Sequence, residues 1–175
     1  MIEILKAKIE KIVNACPTTN DFINEGFDLD YAKAISSDFN IGLKNNLEVG
    51  INDDLATLFN KNGEFRNFSF FGLSLNDFEE YEEFTTIGSQ DVDFIAILKK
   101  TGEVVLVNED PFEIAFYLAN SFGEFLDIIP ILVSYTKVGF LGGEYTPEFK
   151  KEITNSLENI LQTKYFNFYK NRIGE

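Results

Sequence analysis

Five carboxylates crowd into one short stretch of this chain: Asp77, Glu79, Glu80, Glu82 and Glu83, within LNDFEEYEEF. Three uses compete for such a cluster. It can hold a divalent cation, meet a basic protein surface by electrostatic steering, or simply keep a face solvated. The cation reading fits poorly, because a calcium loop alternates its ligands around a central glycine and the pattern D-x-E-E-x-E-E does not. Asp91 and Asp93 form a second acidic pair on either side of Val92. As residues i and i+2 of a strand they would point to one face. Paired carboxylates carry out acid–base work only in a pocket with partners, and acids at turns and strand ends are the commoner case.

Other chemistries are narrowed by what the chain lacks. Histidine is absent, which excludes a Ser-His-Asp triad, a Cys-His dyad and a His-ligated metal. Cys16 is the single cysteine, so neither an intramolecular disulfide nor a Cys-based zinc site can form. It stands beside Pro17 without a basic neighbour and reads as a structural thiol. Gly139, Gly142 and Gly143 lack the Lys-Ser/Thr ending of a phosphate loop. Tyr165, Phe166, Phe168 and Tyr169 beside Lys164, Lys170 and Arg172 have the composition of a nucleic-acid platform. The charge of the whole chain opposes that use, and the segment reads as a helix end packing on the core. No metal or cofactor is expected.

The formal charge is −14, and residues 51–110 carry most of it, with 13 acidic and 4 basic side chains. Such a chain repels nucleic-acid phosphates and anionic lipid headgroups and attracts basic surfaces. The plainer alternative is that the charge only maintains solubility. A hydrophobic fraction of 45% with 19 phenylalanines argues for a folded body whose core is filled by large rings. At 175 residues one domain is expected. No run of roughly 18 apolar residues suggests a membrane span, and MIEILKAKIEKIV does not read as a signal peptide. A cytoplasmic location is the expectation.

Several elements must position these residues. Ile2, Leu5, Ile9, Ile12 and Val13 recur at helical spacing up to Pro17. Thr18 to Asp21 reads as a turn or a new helix start. In residues 22–50, Asn45-Asn46 marks a turn and Leu43 to Val49 has room for a short strand. Asn52 is the expected cap of a helix that Asn62-Gly63 stops. Phe65 to Phe71 reads as a strand. Leu75, Phe78, and Tyr81 or Glu82 share a face if the acidic stretch is helical. Thr85 to Gly88 reads as strand into turn. Phe94 to Leu98 and Val104 to Val107 read as a hairpin around Lys99 to Gly102, central in a sheet because both strands are nearly continuously apolar. Phe112 to Leu118 is open between helix and strand. Ser121 and Glu124 match a capping box before a helix that Pro130 should kink or end. Val138 to Gly143 reads as a connection, and Thr146-Pro147 opens a last helix carrying Phe149, Ile153, Leu157, Ile160 and Leu161.

From Ile51 to Ile129 this order resembles the SUKH superfamily of bacterial immunity proteins and fungal cell-wall synthesis regulators. INDDLATLFNKNGEF is similar to its short helix before a strand, IGSQDVDFIAILKKTGEVVLVN to its glycine-led hairpin, and ANSFGEFLDII to its closing helix. The resemblance implies an α+β fold: a single domain over residues 1–175, with an antiparallel β-sheet, helices packed mainly on one face, N- and C-terminal helices, and a C-terminal helical extension over 146–170. It implies a protein that binds and neutralises a cognate toxin, without catalytic residues of its own. The acidic middle third suits a toxin with a basic surface, such as a nuclease. The partner surface is then expected at Asp77, Glu79, Glu80, Glu82 and Glu83, joined by Asp91 and Asp93 near a sheet edge. The alternatives are a regulatory interaction module of the cell-wall type, and a metal-dependent enzyme using the same acids.

Overall fold

The computed structural model describes residues 1–65 and 68–174, with only the backbone of Asp77. Three helices open the chain: α1 (Ile2–Ala15), α2 (Thr19–Asn24) and α3 (Leu29–Ser37). Leu5, Ile9 and Ile12 of α1 are buried as their spacing requires, while Val13 lies at the helix end and is exposed. The turn at Thr18 is a helix start. Its hydroxyl accepts from the Asp21 N–H, and the Asp21 carboxylate accepts from the Thr18 N–H in return.

A short ladder follows, in which β1 (Ile41–Leu43) pairs antiparallel with β2 (Gly63–Phe65) around α4 (Leu55–Asn62). Asp54, not Asn52, caps α4, because its carboxylate reaches the Thr57 N–H at 2.7 Å. Asn62 does more than stop the helix. Fully buried, it accepts from the Glu48 N–H at 2.6 Å and donates to the Glu48 and Leu58 carbonyls at 2.8 and 2.9 Å. This clamp pairs both backbone groups of Glu48 within the irregular 44–50 segment, where a strand partner would otherwise do so.

The main sheet is antiparallel in the order β3 (Phe68–Phe70), β4 (Leu73–Glu80), β5 (Phe84–Gln90), β6 (Asp93–Leu98), β7 (Val104–Val107), β8 (Ile114–Ala119). The expected strand from Phe65 to Phe71 is divided between β2 and β3, and residues 66 and 67 lie outside the described residues. The hairpin at Lys99 to Gly102 joins β6 and β7, which are central, and Gly102 takes the positive φ (+76°) expected of it. The acidic stretch is not helical: it is strand through Glu80 and a bend at Glu82-Glu83. β5 continues through Gly88, whose missing side chain leaves room for the Ser74 carbonyl of β4, only 2.0 Å from where a Cβ would sit. The turn comes later, at Asp91-Val92.

α5 (Phe122–Phe140) runs across the inner sheet face, followed by α6 (Pro147–Glu158) and α7 (Thr163–Ile173). The Ser121 hydroxyl caps α5 through the Glu124 N–H, but Glu124 reaches back to the Asn120 N–H rather than to that of Ser121. Pro130 does not end α5, which continues to Phe140. Phe125, Leu126, Ile128, Ile129, Leu132 and Val133 are all fully buried around the proline. Their packing outweighs the roughly 3 kcal/mol that an interior proline costs. Thr146 caps α6 with Pro147 behind it. Ile160 and Leu161 fall beyond its end, with Ile160 partly exposed and Leu161 buried. The aromatic tail is α7. Tyr169 donates to the Leu118 carbonyl at 3.0 Å, and Tyr165 and Lys164 share Glu103, pinning the helix to β8 and the β6–β7 loop. The fold is α+β, with the helices mainly on one face and one hydrophobic cluster running from Leu5 to Ile173.

Candidate functional site

Side chains alternate along the central strands. Ile95, Val104 and Leu106 enter the helix-covered core. Ala96, Val105 and Val107 point the other way and are nonetheless buried. Among the described residues their apolar cover is Phe84, Phe94, Leu98 and Tyr117, side chains of the sheet itself. Tyr117 is in turn flanked by Lys164 and Tyr165 at the start of α7.

The outer face carries a connected set of rings. Tyr81 stacks on Phe84 at 4.9 Å and approaches Phe94 at 6.3 Å. Phe112, delivered by the β7–β8 connection, lies parallel to Phe94 at 6.1 Å and within 6.4 Å of Phe84. Each such pair contributes about 0.5–1.5 kcal/mol beyond burial. The layer is nevertheless wet on its outside. Phe112 is 61% exposed, Ile114 next to it 41% and Tyr81 36%. Contiguous exposed rings of this kind are what a protein partner covers.

Carboxylates surround the rings. Glu79, Glu82 and Glu83 are exposed on either side of Tyr81, and Glu82 and Glu83 enter no ion pair among the described residues. Glu80 is already engaged. Lys99 lies 2.7 Å from it and Thr85 donates at 3.1 Å, and the Lys99 ammonium holds its carboxyl below the ordinary range. Asp77 lies on β4, and its side chain is outside the described residues.

Asp91 and Asp93 do not share a strand face. Asp91 occupies the β5–β6 turn with φ +53°, and only Asp93 belongs to β6, where it accepts from the Glu109 N–H at 3.3 Å. β5 separates these two from Glu79, Glu80, Glu82 and Glu83, so those six acids fall into two groups toward opposite ends of that strand, while Asp77 lies between them in the β4 bulge opposite its middle. Among the described residues no three metal-ligating side chains come together to hold a cation. Sequence reasoning missed Tyr81, Phe84, Phe94 and Phe112, and also the exposed Glu109, Asp110 and Glu113 in the connection that presents Phe112. One signal was present: Phe94, Ala96 and Leu98 alternate with Ile95 and Ile97, which gives β6 two apolar faces when the helices cover only one.

No helix among the described residues is long and apolar enough to cross a membrane. Comparison with protein-family models, curated proteins and solved structures finds no match to this chain.

Proposed function

We propose that this chain is an immunity protein that binds and neutralises a cognate bacterial toxin in the cytoplasm, the toxin being a nuclease or another nucleic-acid-acting enzyme with a basic surface. The observation that carries the proposal is the outer sheet face, where exposed rings are bordered by unpaired carboxylates. Its chemistry matches a cationic partner. Lysine and arginine heads are attracted both by ring faces and by carboxylates, and their aliphatic stems pack on the rings. Negative potential accelerates encounter with a basic enzyme, and the rings then supply the buried contact that slows dissociation. The proposed mode of action is occupancy, with no bond made or broken by this chain. The resemblance of residues 51–129 to the SUKH superfamily supports the same reading.

The test is co-expression with a candidate toxin domain sought among the neighbouring genes. The parent chain is expected to restore growth and to capture the toxin in a salt-sensitive manner. The variant combining Glu79→Lys, Glu82→Lys and Glu83→Lys is expected to lose both. Full protection by that variant, with the fold verified by circular dichroism, would overturn the proposal, as would the absence of any rescue by the parent.

A further inference from the structure

A second concave site shares no residue with the outer face. It is a cavity of about 580 Å³ where the β3–β4 turn meets the end of α5, the segment after it and the end of α7. Its walls include Phe71, Tyr135, Phe140 and Tyr145. Tyr135 stacks on Tyr145 at 4.4 Å and meets Phe71 edge-on at 5.3 Å. The volume lies in the range of small-molecule sites, roughly 300–1,000 Å³.

Two features mark out this open depression. The first is its floor. Phe71 has φ +54°, a conformation that disfavours a bulky side chain. Both of its backbone groups are tied to the cavity lining. Its N–H donates to the Thr136 hydroxyl at 2.7 Å, and its carbonyl accepts from Arg172 Nη1 at 3.1 Å. Strain held in place this way concentrates where a ligand is bound. The second feature is Arg172, the one cation in the lining among the described residues. In a chain with 29 acidic side chains, no carboxylate among the described residues lies within ion-pair distance of it. Asp91 acts on it only from farther away. Its guanidinium is solvent-facing yet positioned, resting over the Phe168 ring at 4.6 Å while Nη1 holds Phe71. Its remaining N–H donors have no protein acceptor among the described residues.

We infer that this cavity binds a small aromatic monocarboxylate, its ring among the tyrosines and Phe140 and its carboxylate on the edge of Arg172 that no described residue occupies. A guanidinium fork matches a planar carboxylate in geometry. A phosphate or a dicarboxylate fits less well, because a single cation faces it in a strongly negative chain.

Phenylacetate and its uncharged isostere phenylacetamide are the probes, titrated into the full chain by calorimetry and by NMR. Charge-assisted hydrogen bonds predict saturable phenylacetate binding at least roughly tenfold tighter than that of the amide. Arg172→Gln should abolish the difference, leaving acid and amide equal. Tyr145→Ala should weaken both by roughly tenfold while keeping their ratio, and it decides the matter if the Arg172 variant does not fold. Equal affinity of the parent chain for acid and amide overturns the inference. So does a preference for the acid that survives Arg172→Gln, unchanged binding in Tyr145→Ala, or no saturable binding at all. Loss of toxin protection in the outer-face variants has no bearing on these outcomes.

Discussion

Phe112→Ser separates a partner face from a core. Phe112 is 61% exposed. Of the roughly 200 Å² a phenylalanine offers, about 80 Å² is removed from water, worth about 2 kcal/mol at ~25 cal/mol/Å². A compact unfolded state already hides part of that area, which lowers the figure to about 1.5 kcal/mol. Phe125 is the control, since it is fully buried beneath the inner face, and Phe125→Ala should cost about 3–5 kcal/mol. At ~2–4 °C per kcal/mol for a chain of this size, the midpoints should fall by about 3–6 °C and about 6–20 °C respectively. Thermal unfolding followed by circular dichroism measures both midpoints, and equal m-values in urea confirm that the two variants unfold from comparable states. The toxin-capture assay should reverse the order, with folded Phe112→Ser losing affinity and Phe125→Ala retaining it. If Phe112→Ser destabilises as much as Phe125→Ala does, Phe112 is core and the outer face is not open for binding.

Asn62→Leu keeps the volume but strands the N–H and C=O of Glu48, so it should cost about 2–4 kcal/mol and speed exchange of the Glu48 amide; unchanged exchange would refute the clamp. Gly88→Ala drives a Cβ to 2.0 Å from the Ser74 carbonyl and should cost about 3 kcal/mol or more in urea unfolding by parting β4 from β5. Glu103, 14% exposed, has its carboxyl held below its ordinary 4.5 by Lys164 and then by Tyr165. A lowered folded pKa gives stability that is present above the unfolded value and lost as pH falls through the folded one. Glu103→Gln should therefore flatten the fall in melting temperature below about pH 4.5, and an unchanged slope would argue against the contact.

The sequence was most legible where local signals and packing agree. The β6–β7 hairpin follows from two apolar runs around Lys99 to Gly102, and α6 from Thr146-Pro147 ahead of an apolar stripe. That the acidic stretch stayed open to a helical reading has a physical cause. Leu73 and Leu75 are buried two residues apart, as in any strand, but the next inward residue is Phe78, three further on. The pairing Leu75↔Gly88 followed by Glu79↔Thr86 shows why: β4 spends four residues where β5 spends two. A bulge of this kind writes helical spacing into a strand, and no periodicity argument within the segment can tell the two apart. That α5 does not end at Pro130 has a related reason, since the burial that carries the helix past it is tertiary.

The site was half legible for a different reason. Charge is read residue by residue, so Glu79, Glu82 and Glu83 could be chosen from composition alone. Apolar residues on a central strand are ambiguous, because VVLV is what a strand covered on both faces requires. Here the second cover is not a helix. It is a sheet of rings drawn from β5, β6 and the β7–β8 connection, a layer one side chain thick. That layer is enough to keep water from Val105 and Val107, yet it leaves the outer surface of the rings apolar. Under the proposed function, a partner meeting it would find preformed aromatic area that needs little ordering on binding, with charges around it to select what approaches. Folding and the proposed recognition would then draw on the same residues. Substitutions at Phe84 and Phe94, which are deeper than Phe112, should weaken stability and affinity together, whereas changes at the acidic border should act on affinity alone.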